Sequence, residues 1–171
     1  CGEPISDADV SLSFDVDGTV STTTSRTDNN GLVSINFTAP QTSIPLDVII
    51  TATATKSDYI EGSAQRQMKV EPKTLNVDVV AEPDTLISEE ASSITILVTS
   101  EGFPVEGANV TVSSDKGGTF SLNSKIADAN GSAKFVFMAP AVAADTDVTI
   151  TATANKPGYV LSNSTMIISV A

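Results

Sequence analysis

The stretch that decides the fold occurs twice, as DVIITATATKSDY at 47–59 and as DVTITATANKPGY at 147–159. In the second copy apolar residues alternate with threonines, with Val148, Ile150, Ala152 and Ala154 on one phase and Thr149, Thr151 and Thr153 on the other. A period of two in β-branched residues is typical of a β-strand that is buried on one face. The small alanines would let a facing sheet approach closely, so each copy predicts a half-buried strand.

The two copies belong to a repeat that runs through nearly the whole chain. Sliding the sequence by 100 positions pairs residues 1–71 with 101–171 without a gap, and 25 of the 71 pairs are identical. Identities cluster at turns such as DNNG at 28–31 and DANG at 128–131, where Gly31 and Gly131 suit the positive φ angles of tight turns. Tandem repetition predicts two domains, 1–71 and 72–171, and Pro72 favours a stiff join.

The second domain contains seven segments with strand-like alternation. They lie at about 75–81, 92–99, 108–114, 118–123, 131–138, 147–155 and 162–170. Seven short alternating strands in such a length fit an immunoglobulin-like sandwich, and no segment shows a sustained helical period. We therefore predict an all-β protein made of two tandem immunoglobulin-like β-sandwich domains with little or no helix.

The first domain is predicted to lack its first two strands. Cys1 aligns with Glu101, which already follows two predicted strands of the second domain, so residues 1–71 hold the five later strands only. Apolar residues such as Val33, Ile35 and Phe37 would then be poorly covered, beside an unpaired backbone edge. We expect either that the chain is a fragment or that another copy supplies the cover, which would make it a homo-oligomer.

The composition excludes several functions. The chain carries 21 acidic and 9 basic residues, a net charge of −12, which disfavours nucleic acid as a partner. It has no His, the commonest general base, and its single Cys cannot close an intrachain disulfide. No apolar run reaches the length of a transmembrane segment. We predict a protein that is not an enzyme, with no catalytic residues and no cofactor.

Two kinds of candidate site are present. DVDGT at 15–19, together with Asp28, superficially resembles a calcium loop, but the equivalent DKGGT at 115–119 has Gly117 where Asp17 stands. An acidic hairpin turn is the favoured interpretation, and no metal site is predicted. Four Asn-x-Ser/Thr sequons are possible glycosylation sites, although such triplets also occur by chance: Asn36, Asn109, Asn130 and Asn163.

The first residue leaves two alternatives open. Cys1 followed by Gly2 could be the lipid-modified start of a mature bacterial lipoprotein. It could equally be an ordinary cysteine exposed by a cut through a longer polypeptide. The repeat alignment favours the cut, because it places Cys1 inside a domain.

The order of motifs in each repeat resembles a known family. Gly-x-Pro-Val at 102–105, Asp-x-Asn-Gly at 128–131, Phe-x-Ala-Pro at 137–140 and Thr-Ile-Thr-Ala at 149–152 follow one another as in bacterial Ig-like group 1 repeats of invasin and intimin type surface proteins. The resemblance implies extracellular, tandemly stacked modules that act as a non-catalytic spacer or stalk at the cell surface, in contact with a protein or glycan. The alternative is a carbohydrate- or protein-binding module attached to a secreted enzyme or lipoprotein. Against a carbohydrate site, the chain has no Trp and only Tyr59 and Tyr159 at matching positions.

Overall fold

A computed structural model describes residues 2–171. In these residues β-strands are the only helix or strand elements, and turns and loops connect them. The predicted all-β class is confirmed. The chain divides into two compact units, unit 1 (Cys1–Glu71) and unit 2 (Pro72–Ala171). No helix within residues 2–171 has the length and apolarity needed to cross a membrane.

Unit 1 consists of one four-stranded antiparallel sheet and one short strand pair. Its strands are β1 (Asp9–Phe14), β2 (Thr19–Val20), β3 (Thr24–Arg26), β4 (Phe37–Thr38), β5 (Leu46–Thr55) and β6 (Gly62–Val70). The sheet has the order β3-β1-β5-β6, and β2 pairs with β4 over two positions only. Only one of the two layers of a sandwich is therefore fully formed in this unit.

Unit 2 contains six longer strands and six short strands of two or three residues. They are β7 (Lys73–Thr74), β8 (Asn76–Glu82), β9 (Thr85–Leu86), β10 (Ala91–Ser100), β11 (Phe103–Pro104), β12 (Asn109–Ser114), β13 (Thr119–Phe120), β14 (Ser124–Ile126), β15 (Ser132–Met138), β16 (Thr146–Asn155), β17 (Tyr159–Val160) and β18 (Ser162–Val170). All seven predicted segments form strands, although the fourth is strand only at β13.

The strand order of unit 2 is that of an immunoglobulin-like sandwich. One sheet runs β8-β10-β15-β13, with β11 folded back on the end of β10. The other runs β14-β12-β16-β18-β9, in which β9 is parallel to β18. This reproduces the ABED and CFG sheets of the immunoglobulin fold, with extra edge strands on the second sheet.

The core of unit 2 lies between the two sheets and is formed by the side chains that the strand alternation predicts to face inward. These inward residues are at most 2% exposed: Ile94, Ile96, Val98, Ala133, Phe135, Phe137, Val148, Ile150, Ala152 and Ala154. The threonines that alternate with them on β16 are partly exposed. Ala152 and Ala154 are buried completely, as expected where two sheets approach closely.

The core of unit 1 is much smaller. Among its described residues only Ala8, Val10 and Val48 are buried apolar side chains, while Ile50 and Ala52, on the same face of β5 as Val48, remain partly exposed. The predicted strand at 131–138 would place its counterpart at 31–38 by the 100-residue offset, but residues 31–36 are irregular. The equivalents of residues 32–36 in unit 2 lie in β15, which pairs with β10 over seven positions. Residues 2–71 contain no counterpart of β10.

Candidate functional site

A small cleft at one end of unit 2 is the candidate binding site. It has a volume of about 150 Å³ and is lined by Lys73, Ser100, Glu101, Phe103, Pro104, Val105 and Tyr159. Parallel pairing of β7 with β17 places Lys73 opposite Tyr159. The turn between β10 and β11 brings Phe103 opposite Ser100. Three segments that are distant in sequence therefore meet at this cleft.

The two aromatic rings of the cleft have different environments. Phe103 is 73% exposed, whereas Tyr159 is partly buried. The ammonium groups of Lys73 and Lys156 lie 5.8 and 5.7 Å from the centroid of the Tyr159 ring, within the range of cation–π attraction. Phe103 is thus the ring left free to contact a ligand. Pockets that enclose a drug-sized ligand measure about 300–1,000 Å³, so this cleft can contact a ligand but not enclose one.

Sequence reasoning predicted no binding residue at this cleft, and it named Tyr159 only as one of two tyrosines at matching positions. The sequence offered one further signal for a binding site, namely Phe103, a large apolar side chain in a turn between Gly102 and Pro104. The equivalent position in unit 1 is Glu3. Tyr59, the counterpart of Tyr159, is 58% exposed. Because position 3 is acidic, unit 1 has no second ring at the position equivalent to Phe103.

The lysine of the repeated stretch has a structural role in both units. Lys56 Nζ donates a hydrogen bond to the carbonyl of Ser6, and Lys156 Nζ donates to the carbonyl of Glu106 over 2.5 Å. Each contact ties the end of the long strand, β5 or β16, to the segment that precedes the neighbouring strand. Repetition of this contact explains why lysine occurs in both copies of the stretch.

Asp15 and Asp28 of the calcium-like sequence accept separate backbone hydrogen bonds. Asp15 Oδ1 accepts the N–H of Ile49 over 2.8 Å. Asp28 Oδ1 accepts the N–H groups of Asn30 and Leu32 over 2.8 and 2.9 Å. Within residues 2–171 no group of three His, Cys, Asp or Glu side chains is placed to hold a metal ion. Asp28 therefore caps its own turn, whereas Asp15 links the end of β1 to β5.

Asp115, the counterpart of Asp15, has a carboxyl group whose pKa is lowered in the folded state. Its Oδ1 accepts the N–H of Thr149 over 2.7 Å, and this hydrogen bond, with a smaller effect from Lys116, lowers the pKa of the Asp115 carboxyl below its ordinary value. A pKa that is lower in the folded state adds stability above the unfolded-state pKa, which is lost as pH falls through the folded-state pKa.

We expect Asp115→Asn to remove this part of the acid sensitivity of unit 2. The asparagine carbonyl can still accept the Thr149 N–H but does not titrate in this range. Urea unfolding midpoints measured across acidic pH should fall less steeply for the variant than for the wild type. Asp145→Asn, which removes the same charge from a side chain without a hydrogen bond among the described residues, is the control. An identical pH profile for Asp115→Asn and the wild type would contradict the prediction.

The four sequon asparagines all lie at the surface. Asn36 directly precedes β4, Asn109 begins β12, and Asn163 lies on β18. Asn130 lies in the turn that Asp128 caps. Asn109 is the one whose side chain is engaged, since its Oδ1 accepts a 2.6 Å hydrogen bond from Ser124. Their use as glycosylation sites stays a prediction, and Cys1, with its two alternatives, lies outside the described residues.

Comparison with known proteins gives structural matches alone. No protein-family model matches the chain, and no curated protein sequence matches it. The chain is similar to the D0-D1 domains of intimin at 17% identity, covering 96% of this chain and 84% of that one with a TM-score of 0.43. It is similar to the D00-D0 domains of intimin at 15% identity, 94% and 84% coverage and a TM-score of 0.48.

A further similar structure is the Yersinia pseudotuberculosis adhesin InvE. The identity is 16% and the TM-score 0.43, and the match covers 97% of this chain and 50% of the adhesin. The chain thus spans about half the length of that protein.

Proposed function

We propose that the chain is a non-catalytic tandem of immunoglobulin-like modules that serves as a spacer or stalk in a cell-surface or secreted protein. The observation that carries the proposal is which residues the two units share. Core positions such as Val48 and Val148, turn glycines such as Gly31 and Gly131, and the Lys56 and Lys156 contacts recur. The cleft does not recur, since Glu3 replaces Phe103. The two units therefore share the residues that form the fold, but they do not share the exposed cleft.

The end strands of unit 2 are paired in a way that resists tension. β9 lies near the start of the unit and is parallel to β18 at its end, with Thr85 opposite Ser169. Backbone hydrogen bonds of 2.9 Å join Ala171 to both Leu86 and Ser88. Pulling the two ends apart loads these bonds in shear, so that several must break together and not one after another. A module with this pairing is suited to hold its length under load.

Single-molecule force spectroscopy on the full chain, held by its two ends, tests the proposal. We expect a distinct cooperative event for unit 2, whose 100 residues extend by roughly 330–360 Å before the folded length is subtracted. Ala171→Pro removes the N–H that Leu86 accepts and should lower the rupture force, whereas Ala171→Val keeps the N–H and should not. Extension of unit 2 without a distinct rupture event would contradict the spacer role.

The alternative function, a carbohydrate- or protein-binding module, is favoured by one observation, the exposed ring of Phe103 beside Lys73 and Glu101. Titration of the chain with oligosaccharides, followed by amide NMR shifts at 100–105, tests it. Shifts that saturate, and that Phe103→Ala abolishes, would support binding. Unchanged spectra at millimolar sugar would leave the spacer role as the function of unit 2.

A further inference from the structure

We propose that the open edge of β18 in unit 2, at residues 163–167, pairs with the same edge of a second copy of this chain. The two β18 strands would run antiparallel about Thr165 and join the sheets that contain them into one continuous sheet. This interaction surface is additional to the spacer role and does not depend on it.

β18 has a neighbouring strand on one side only over most of its length. On one side β16 pairs with it along all of residues 162–170. On the other side β9 pairs with it at Ser169 and Val170 alone. Unit 2 contains its own leading strands, β8 and β9, so the edge at 163–167 is open in a sandwich that already has them.

The backbone groups of this edge point outward without partners. The N–H groups of Ser169 and Ala171 donate to the segment that contains β9, so the odd-numbered residues of β18 direct their backbone groups away from β16. Asn163, Thr165 and Ile167 have the same parity, and none of their N–H and C=O groups has a hydrogen-bond partner elsewhere in residues 2–171. A row of free donors and acceptors is the feature to which an added strand pairs.

β18 also lacks the charged side chains that deter pairing at sheet edges. Residues 157–171 contain no Asp, Glu, Lys or Arg, although the chain has 21 acidic and 9 basic residues. Within residues 2–171 the other edge strands of three or more residues all carry charge: Arg26 on β3, Arg66 and Lys69 on β6, Asp78 and Glu82 on β8, and Lys125 on β14. β18 is therefore the long edge at which an added strand meets no charge.

The distribution of charge restricts where two copies can approach each other. Each copy has a net charge of −12, so contact through most of the surface brings like charges together. At β18 the edge is neutral, and the outward threonines of β16 beside it are neutral as well, namely Thr149, Thr151 and Thr153. A partner recognised through its charge gains nothing here, whereas a second copy meets the same neutral strip.

The edge is self-complementary in an antiparallel register centred on Thr165. Thr165 then lies opposite Thr165 of the second copy, and Asn163 lies opposite Ile167, so each of these residues can exchange backbone hydrogen bonds across a two-fold axis. Cross-strand threonine pairs add stability. Met166, on the inward phase, is only partly buried, whereas Ile168 is fully buried, and the added strand covers the open side of Met166.

Pairing along so short an edge makes a small interface. We expect it to bury less than about 1,200 Å², the lower end of specific and stable complexes, and to have a dissociation constant on the order of 0.1 mM. Two chains held next to each other reach effective concentrations of about 1 mM, at which such a pair is populated.

Amide hydrogen exchange of the full chain, resolved by residue and measured at about 10 µM and about 1 mM protein, tests the proposal. We expect exchange at Asn163, Thr165 and Ile167 to slow by about threefold or more at the higher concentration, because exchange at the open edge requires the monomer. The amides of Ser164 and Met166 point toward β16 within each copy, so they are internal controls and should exchange slowly at both concentrations.

Two variants and one control locate the contact. Thr165→Pro removes an outward N–H and should abolish the concentration dependence, since proline is tolerated on an edge strand where the N–H faces solvent. Thr165→Val keeps the N–H and should retain the dependence. Met166→Arg keeps every backbone N–H and introduces the residue that unit 1 has at this position, Arg66. It should also abolish pairing, because the charges of two copies then lie on the same face close to the two-fold axis.

The proposal is overturned if exchange at Asn163, Thr165 and Ile167 does not depend on the concentration of the wild type, or if the proline and valine variants behave alike. If Thr165→Pro unfolds β18, seen as fast exchange at Ser164 and Met166, the Met166→Arg variant decides, and pairing that it leaves unchanged overturns the proposal. Association detected by sedimentation that leaves the three edge amides unprotected would assign the contact to another surface and would also overturn it.

Discussion

Replacing Phe135 with alanine lowers the free energy of unfolding of unit 2 by about 3–5 kcal/mol, the cost of truncating a buried phenylalanine. Phe135 is 2% exposed on β15 and pairs across the sheet with Ile94, which is fully buried. Its neighbours on β10 and β16 are largely β-branched residues with restricted rotamers, so they cannot close the cavity that the missing ring leaves.

Denaturant titration of the full chain measures this effect. Each unit has one tyrosine, Tyr59 or Tyr159, and the chain has no Trp, so tyrosine fluorescence in a Tyr59→Phe background follows unit 2 alone. Val136→Ala is the matched control, because Val136 is the next residue on the same strand but is 48% exposed. Its cost should be within about 1 kcal/mol. Equal losses for the two variants would mean that β15 faces the other way.

The burial of Phe135 was predictable because a strand's period fixes its two faces. Ala133, Phe135 and Phe137 alternate with polar or exposed residues, and the structure places all three in the core. The same reasoning located the faces of β10, β12, β16 and β18. The long strands of unit 2 contain several repeats of the two-residue alternation, so their pattern can be distinguished from chance.

The shorter elements were not predictable in this way. Thr85–Leu86 and Lys73–Thr74 are too short to show a period, and they are strands because β18 and β17 lie alongside them. Residues 31–36 show the opposite case, since Val33, Ile35 and Phe37 alternate as in a strand but the segment is irregular up to Phe37. A strand needs a partner as well as a pattern, and the partner is a property of the whole unit.

The candidate cleft was not predicted from the sequence, for a similar reason. Lys73, Phe103 and Tyr159 are separated by at least 30 positions from one another and meet because β7 pairs with β17 and β11 folds back on β10. No local pattern links these three residues. The structure is what brings them to one surface.

The second large effect is expected at a turn glycine. Gly131 has φ of +72°, and a Cβ placed there would lie 2.3 Å from the carbonyl oxygen of Val98 and 3.0 Å from the nitrogen of Val105. Those backbone groups are already committed, because Val98 donates to the carbonyl of Gly131 over 2.8 Å and Val105 donates to that of Val98 over 3.0 Å. Alanine must therefore adopt a left-handed conformation and also push apart the junction of β10 and β11.

We expect Gly131→Ala to destabilise unit 2 by about 2–5 kcal/mol, of which about 1–2 kcal/mol is conformational strain and the rest is overpacking. Gly107→Ala separates the two causes. Gly107 has φ of +77° in the same unit, but nothing lies within 4 Å of a Cβ built there, so only the strain of about 1–2 kcal/mol should appear. Both values come from the same tyrosine-monitored titration. If the two variants lose the same stability, the close approach of Val98 to Gly131 does not constrain the turn, and its glycine is required for its φ angle alone.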